Sequence, residues 1–266
     1  MEMLVIFSAF ILYLTECSKI TFIVSWHEED KFLGNRVGAI IPAAGSGVRM
    51  GTDIKKQYLI LKDKPVIQHT IEKIGKNQNI QQVVVVCDQA SIMQVEKHII
   101  SKLKDDVKSK VMLVLGGNTR TASVFNGVKA LANHTDYVMI HDGVRPLIDE
   151  GVIASVIKEV VDKKAIIVGK KATDTIKIVK NNCVDKTIDR RKIWHAETPQ
   201  CFEYLLIKDC LEKSFLVDHV FTDEASILEY FGYDVYIIEN QQINLKITHP
   251  SDLEHARYIV DKRGYV

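Results

Sequence analysis

Residues 41–59 read IPAAGSGVRMGTDIKKQYL: the end of an apolar strand, then small residues with Gly45, Gly47 and Gly51, and the cations Arg49, Lys55 and Lys56. Small residues let backbone N–H groups wrap an oxyanion, and cations neutralise the charge gathered on it, so this is the make-up of a phosphate-binding loop. Three phosphate chemistries compete for it. A Walker loop needs Gly-Lys-Ser/Thr entering a helix, whereas Gly51 is followed by Thr52 and Asp53, which excludes it. A dinucleotide fingerprint needs G-x-G-x-x-G. Here the spacing is G-x-G-x-x-x-G, Asp88 would have to serve as the ribose acid, and an Arg and two Lys crowd the following residues. Nucleotidyl transfer fits best. Attack at the α-phosphorus of a nucleoside triphosphate loads negative charge onto non-bridging oxygens and the leaving pyrophosphate, and positioned cations stabilise it. Taken alone, the stretch also reads as a tight turn with solvated cations.

The elements that must hold this loop follow from hydropathy. Apolar runs at Val37–Ile41, Gln82–Cys87, Met112–Leu115, Tyr137–His141 and Ala165–Val168 are continuous, which predicts strands of a parallel sheet covered on both faces. Amphipathic segments predict helices near Pro65–Ile74, Ala90–Leu103, Thr121–Ala132 and Glu150–Asp162, with Pro65 in a first turn and Thr121 as a cap. The alternation is that of a doubly wound, mostly parallel, Rossmann-like α/β sheet, whose ligands lie outside the carboxyl ends of the strands. After Gly169 the rhythm changes. Thr, Ile and Val alternate with charge, and Lys180–Asn182 reads as a turn, so a projecting β-hairpin arm is expected at about 172–192. A lone hairpin is marginal in water, so the arm is expected to pack on a second subunit as a homodimer. Helices at Tyr204–Lys213 and Thr222–Phe231, strands at Val235–Ile238 and Ile243–Ile247, and a helix from Pro250 complete the expectation.

Bulk properties narrow the partners. The 266 residues are 47% hydrophobic and 26% charged, enough apolar material for a full core without disulfides or metal. A net charge of +1 argues against nucleic acid. Cys17, Cys87, Cys183, Cys201 and Cys210 are odd in number and without a CxxC pair, so zinc is not expected and a reducing, cytoplasmic setting is. Met3–Leu14 is apolar but too short to span a bilayer, and only Glu2 precedes it where a signal peptide wants Lys or Arg. Residues 1–35 therefore read as a membrane-proximal anchor, an uncleaved leader or, the favoured expectation, an extension dispensable for folding without stable membrane insertion, and residues 36–266 as the working domain.

Seven segments carry a resemblance. PAAGSGVRMGTDIKKQY, GGNTRTASVFNG, HDGVRP, DTIK, DRRKIWHAETPQ, TDEAS and NLKITHPSDL, in that order and spacing from Val37 to Val260, resemble the 2-C-methyl-D-erythritol 4-phosphate cytidylyltransferases. The ribitol 5-phosphate cytidylyltransferases share most of these blocks. The resemblance implies a nucleotide-diphospho-sugar transferase-like fold and transfer of CMP from CTP to a sugar-alcohol phosphate, with Mg²⁺ carried mainly by the CTP phosphates. It implies that Arg49 and Lys56 stabilise the α-phosphate; Lys55 leaves a choice of one position, and Lys56 is taken because it directly precedes Gln57-Tyr58. It further implies a CTP pocket from Pro42, Ala43, Ala44, Gly45, Ser46, Gly47, Gly117, Asn118, Arg120, Ser123 and Gly143. Asp142, Arg145 and Thr175 would face the acceptor, while Arg190 and Lys246 would hold its phosphate, Arg190 from either its own or the neighbouring subunit. Arg191 leaves a second one-position choice, and Trp194 and His195 read as structural. Many members carry an acid beside the Asn of the last segment; Asn240–Ile243 supplies none here.

The expectation is a methylerythritol phosphate cytidylyltransferase, since PAAG and WHAETPQ differ from the Ala-Gly-Gly and Gly-Gln of the ribitol group. A ribitol enzyme and a non-enzymatic nucleotide-binding protein remain the alternatives.

Overall fold

The computed structural model describes residues 35–45 and 54–263. Residues 1–34, including Met3–Leu14 and Cys17, and Ser46, Gly47, Arg49 and Gly51 of the glycine loop lie outside them.

The sheet forms where β-branched runs are too apolar to face water on either side. Strands β1 (Val37–Pro42), β4 (Ile80–Cys87), β5 (Val111–Leu115) and β6 (Tyr137–Ile140) pair in parallel, flanking β1 as β6-β1-β4-β5. A two-stranded ladder, β2 (Ile60–Leu61) and β3 (Lys64–Pro65), precedes helix α1 (Val66–Gly75). Pro65 sits one residue before the helix rather than inside its first turn. Residues of successive parity point to opposite faces. Ile41, Val83 and Val85 pack with α1 and with α5 (Glu150–Lys163), whereas Ile40, Val84 and Val86 pack with α4 (Arg120–Lys129). A fully buried Val or Ile side chain is worth roughly 1.5–3 kcal/mol by transfer, against roughly 0–1 kcal/mol for an exposed ion pair, so this core dominates the fold.

Helix α5 shows the local logic: Ile153, Val156, Ile157 and Val160 form one buried stripe, Asp149 caps Gly151 N, and Lys164 leaves the helix with φ of 64°. Helix α4 is capped by Thr119, whose hydroxyl accepts from Ala122 N, not by Thr121. The long helix expected at Ala90–Leu103 is broken into α2 (Ile92–His98), a single 3-10 turn at Ile100–Lys102, and α3 (Asp105–Lys108).

Beyond β7 (Ala165–Lys171) the arm is present: β8 (Ile176–Lys180) and β9 (Cys183–Ile188) pair antiparallel about Asn181 and Asn182, both at positive φ as a tight two-residue turn demands. Trp194–Glu203 is a strand, β10, inserted antiparallel between β7 and β6. With β11 (Tyr236–Glu239) parallel to β7, the order is β11-β7-β10-β6-β1-β4-β5. Helices α6 (Tyr204–Ser214) and α7 (Glu224–Tyr230) join α4 on one face, and α8 (Pro250–Arg263) closes a third apolar cluster over Leu61, Val144 and Ile247. Residues 243–247 form no strand, contrary to expectation; Ile247 N bonds to Val144 O as a lone rung. The chain runs from β1 outward to β5, then returns to β6 on the other side of β1. In open α/β sheets such a reversal marks the crevice outside the strands' carboxyl ends where ligands bind.

Candidate active site

Three loops leave carboxyl ends beside the reversal. After β1, Ala43 continues the ladder by donating to Val86 O, and Pro42, Ala43, Ala44 and Gly45 lead into the glycine loop. Gln57, only 3% exposed, closes the stem of that loop, its Nε2 donating to Ala43 O (2.7 Å) and Gly45 O (3.1 Å). Lys56 opens the 3-10 turn Lys56–Tyr58 and is half-buried. Lys55 turns away to Asp88 (2.7 Å) and Ser91 (3.1 Å). Burial pushes the Asp88 carboxyl up, but Lys55 and Ser91 more than offset this and hold it below its usual range. Asp88 is thus committed to Lys55, which weakens the dinucleotide reading.

After β5, Gly116 N bonds to Cys87 O, and a Cβ there would stand 2.8 Å from Ala44 Cβ. Only glycine lets this turn approach the loop after β1 so closely. Ser123 Oγ accepts from Gly117 N (3.1 Å) and donates to Thr119 O (2.9 Å), fixing the turn that carries Asn118. Arg120 donates twice to Glu224, at 2.6 and 3.0 Å; the Glu224 side chain is fully buried and the Arg120 side chain 37% exposed. Burial pushes the Glu224 carboxyl up, with Arg120 opposing. Beside it Gln200 bridges Asp223 (2.7 Å) and Ala225 N (3.2 Å).

After β6 comes the densest polar cluster. Asp142 Oδ2 meets Lys246 Nζ at 2.8 Å and Arg145 Nε at 3.2 Å. Burial alone would raise the Asp142 carboxyl, but Lys246 and Arg145 hold it well below the carboxylate range. Behind it the protons are ordered. His141 is buried, which lowers its pKa to about 4, so the ring is neutral at pH 7. Its Nε2 faces the Arg145 carbonyl (3.2 Å) and therefore carries the proton, leaving Nδ1 to accept from Thr198 Oγ1 (3.1 Å). The Thr198 oxygen in turn accepts from Asp142 N at 3.0 Å. Gly143 is buried alongside, its carbonyl accepting from Thr70. Arg145 Nη1 donates to Asn244 O (2.7 Å), and Asn244 Nδ2 donates to Thr198 O (2.7 Å) and Glu197 Oε2 (3.0 Å).

The remaining expected residues stand apart from this floor. Thr175 is exposed at the start of the arm. Arg190 donates to Thr173 O at 2.6 Å, while Arg191 forks onto Asp189 at 2.7–3.1 Å. His195 is exposed, and Trp194 lies under Lys171. Sequence reasoning missed Gln57, Glu197, Thr198 and Glu224, although all four sit inside the quoted motifs. Glu224 reads as an ordinary acid in a first helical turn; that it faces Arg120, 104 residues away, is a tertiary fact.

The chain matches a family model described as "IspD: 2-C-methyl-D-erythritol 4-phosphate cytidylyltransferase" over residues 37–262. It is 39% identical over 222 residues to the cytidylyltransferase of that name from Clostridioides difficile (strain 630), spanning 84% of this chain and 92% of the relative. To that from Syntrophotalea carbinolica it is 39% identical over 229 residues, 86% of this chain and 97% of the relative. The crystal structure of 4-diphosphocytidyl-2C-methyl-D-erythritol synthase from Anaerococcus prevotii superposes with a TM-score of 0.75 at 29% identity, covering 86% of this chain and 97% of that one. The Francisella tularensis enzyme superposes with a TM-score of 0.69 at 31% identity over 85% and 99%. Motifs, sheet order and relatives matched over nearly their whole lengths agree, and the chain belongs to the IspD family of 2-C-methyl-D-erythritol 4-phosphate cytidylyltransferases.

Proposed function

We infer that the crevice between β1 and β6 is where this chain carries out the family's reaction. CMP passes from CTP to 2-C-methyl-D-erythritol 4-phosphate, giving CDP-methylerythritol and pyrophosphate, in non-mevalonate isoprenoid biosynthesis. The observation that carries this location is the convergence of Asp142, Arg145 and Lys246 at the sheet's reversal, beside the stem of the glycine loop.

In this reading the backbone of Pro42–Gly47 cradles the triphosphate, and Arg49 and Lys56 neutralise charge as the α-phosphorus is attacked. The acceptor's phosphate oxygen forms the new P–O bond, the bond to the β-phosphate breaks, and pyrophosphate leaves with the electron pair. A phosphate monoester is already anionic at pH 7, its second pKa being about 6, so orientation matters more than proton removal. Gly117, Asn118 and Ser123 form the base pocket, with Arg120 held on Glu224 as its wall. Lys246, Arg145, Arg190 and Thr175 hold the acceptor, and Gly143 lets the nucleotide sugar approach Asp142.

Mg²⁺ suits the donor set. Among the described residues no three His, Cys, Asp or Glu side chains gather to hold a metal. The ion keeps several waters and takes one or two carboxylates plus substrate phosphates. Asp142 would lend that carboxylate, and the ion would neutralise the triphosphate.

The arm is proposed to pack on a second copy, since Ile178, Val179 and Val184 stand exposed on a two-stranded ribbon. A cytoplasmic setting is supported by free thiols at Cys87, Cys183, Cys201 and Cys210. No helix among the described residues is long and apolar enough to cross a membrane. Residues 36–266 are proposed as the catalytic domain, so a chain beginning at Asn35 keeps activity. The test is pyrophosphate release from CTP and Mg²⁺: release with methylerythritol 4-phosphate and not with ribitol 5-phosphate supports the reading, and the reverse overturns it.

A further inference from the structure

Residues 241–249, which carry Lys246, belong to no helix or strand, so only discrete bonds set their course. Asp252 fixes its far end, accepting from Thr248 N and His249 N at 2.8 Å each, and a second carboxylate fixes its near end. Glu197 Oε2 accepts from Asn240 Nδ2 (2.8 Å) and Asn244 Nδ2 (3.0 Å), and Lys170 Nζ lies 3.9 Å from the other oxygen. Glu197 stands at the bulge in β10, where the pairing with β7 shifts register, and the bulge aims its side chain across the sheet's end. Asn244, so held, presents its carbonyl to Arg145 Nη1 at 2.7 Å, and Ile247 N takes Val144 O at 2.9 Å. Lys246 lies between these two fixed points, and its ammonium reaches Asp142 at 2.8 Å. The segment itself, Asn240-Gln-Gln-Ile-Asn244, contains no acid; the carboxylate comes from β10 instead.

We propose that Glu197 is a positioning residue for the acceptor phosphate: through Asn240 and Asn244 it sets the segment that aims Lys246 and orients Arg145. The proposal rests on the reading that Lys246 and Arg145 hold that phosphate. A positioned cation contributes to turnover only in its productive geometry, so loosening its frame forfeits the contribution while the cation remains present. Glu197→Gln keeps an oxygen able to accept from both amides; Glu197→Ala does not.

Steady-state kinetics on Glu197→Ala, Glu197→Gln, Lys246→Ala and the Glu197→Ala/Lys246→Ala double variant test it, with CTP binding measured without acceptor. Glu197→Ala is expected to raise the acceptor KM about tenfold or more while CTP affinity stays within about twofold, and Glu197→Gln to recover most of the loss. In the Glu197→Ala background, Lys246→Ala should cost less than about threefold further, because both changes remove one interaction. If Glu197→Ala does not fold, Asn240→Ala, which severs one of the two amide bonds, should show the same sub-additivity with Lys246→Ala. Multiplying effects, or equal weakening of CTP and acceptor, overturn the role of Glu197. An acceptor KM unmoved by Lys246→Ala alone overturns the underlying reading instead.

Discussion

The floor of the crevice and the arm carry similar residues and hold them in opposite ways. On the floor, Asp142, Arg145, Thr198 and Asn244 are buried, and each is bonded to another member of the group. On the arm, Thr175, Arg190 and Arg191 are exposed, and the two arginines bond to their own segment. The dipoles and charges of the floor are already fixed by one another, which on the proposed reading leaves little to reorganise when substrate reacts. The arm offers charge without a frame. A second surface must supply that frame if Arg190 is to aim at a phosphate.

Four experiments test this contrast. Asp142→Ala should have the largest effect, since it leaves Lys246 and Arg145 crowded without their shared counter-charge. Removing one partner of a buried pair costs about 3–5 kcal/mol, so denaturant titration should show lost stability together with near-complete loss of turnover. A stable, active Asp142→Ala protein would mean the floor is not preorganised by this carboxylate. Next come the adjacent lysines: Lys56→Ala should lower kcat about a hundredfold, near 3 kcal/mol of barrier, whereas Lys55→Ala, which loses the half-buried contacts with Asp88 and Ser91, should cost a few-fold. The opposite ranking would move the catalytic register by one residue.

The third uses pH. The unfolded chain protonates His141 below about 6.5, whereas in the folded chain the buried ring stays neutral down to about 4. Its contribution is fully present above about 6.5 and drains away as pH falls toward 4, by about 3 kcal/mol. Urea titrations from pH 7 to pH 4 should show that loss, and His141→Gln should flatten the slope; an unchanged slope would mean His141 is not held neutral. The smallest effect belongs to the arm. Arg190→Ala should raise the acceptor KM about tenfold without altering melting temperature or CTP binding, because its guanidinium has no buried partner to abandon. Activity regained on mixing Arg190→Ala with Arg49→Ala protein would place the arm on the neighbouring copy; no recovery would assign Arg190 to its own chain.

What the sequence made legible was local or periodic. The continuous runs of Val and Ile announced the parallel strands, and Asn181-Asn182 announced its turn because few residues accept two successive positive φ angles. Strand β10 was hidden by Pro199, which lacks a donor and sits where the ladder skips between Glu197 and Gln200, so the run does not read as a strand. Residues 243–247 looked like a strand from Ile, Leu and Ile, yet their backbone bonds go to Val144 and Arg145 instead of a ladder. The motif residues were found as letters. Their partners, Glu197 for Asn244 and Glu224 for Arg120, were not, because no pattern in one chain records which distant carboxylate will face which cation.

The arm leaves and rejoins the sheet through a single closing rung: Ala172 N donates to Ile193 O at 2.9 Å. To the folding chain, everything from 173 to 192 is therefore a loop with a pinched neck. The entropy of closing such a loop grows only logarithmically, each doubling of length costing about 0.6 kcal/mol. The excursion is free to lengthen, shorten or change its exposed face without disturbing the register of β7 against β10. The arm's length and exposed face are thus variables that the fold can alter separately from the sheet register that holds the floor of the crevice.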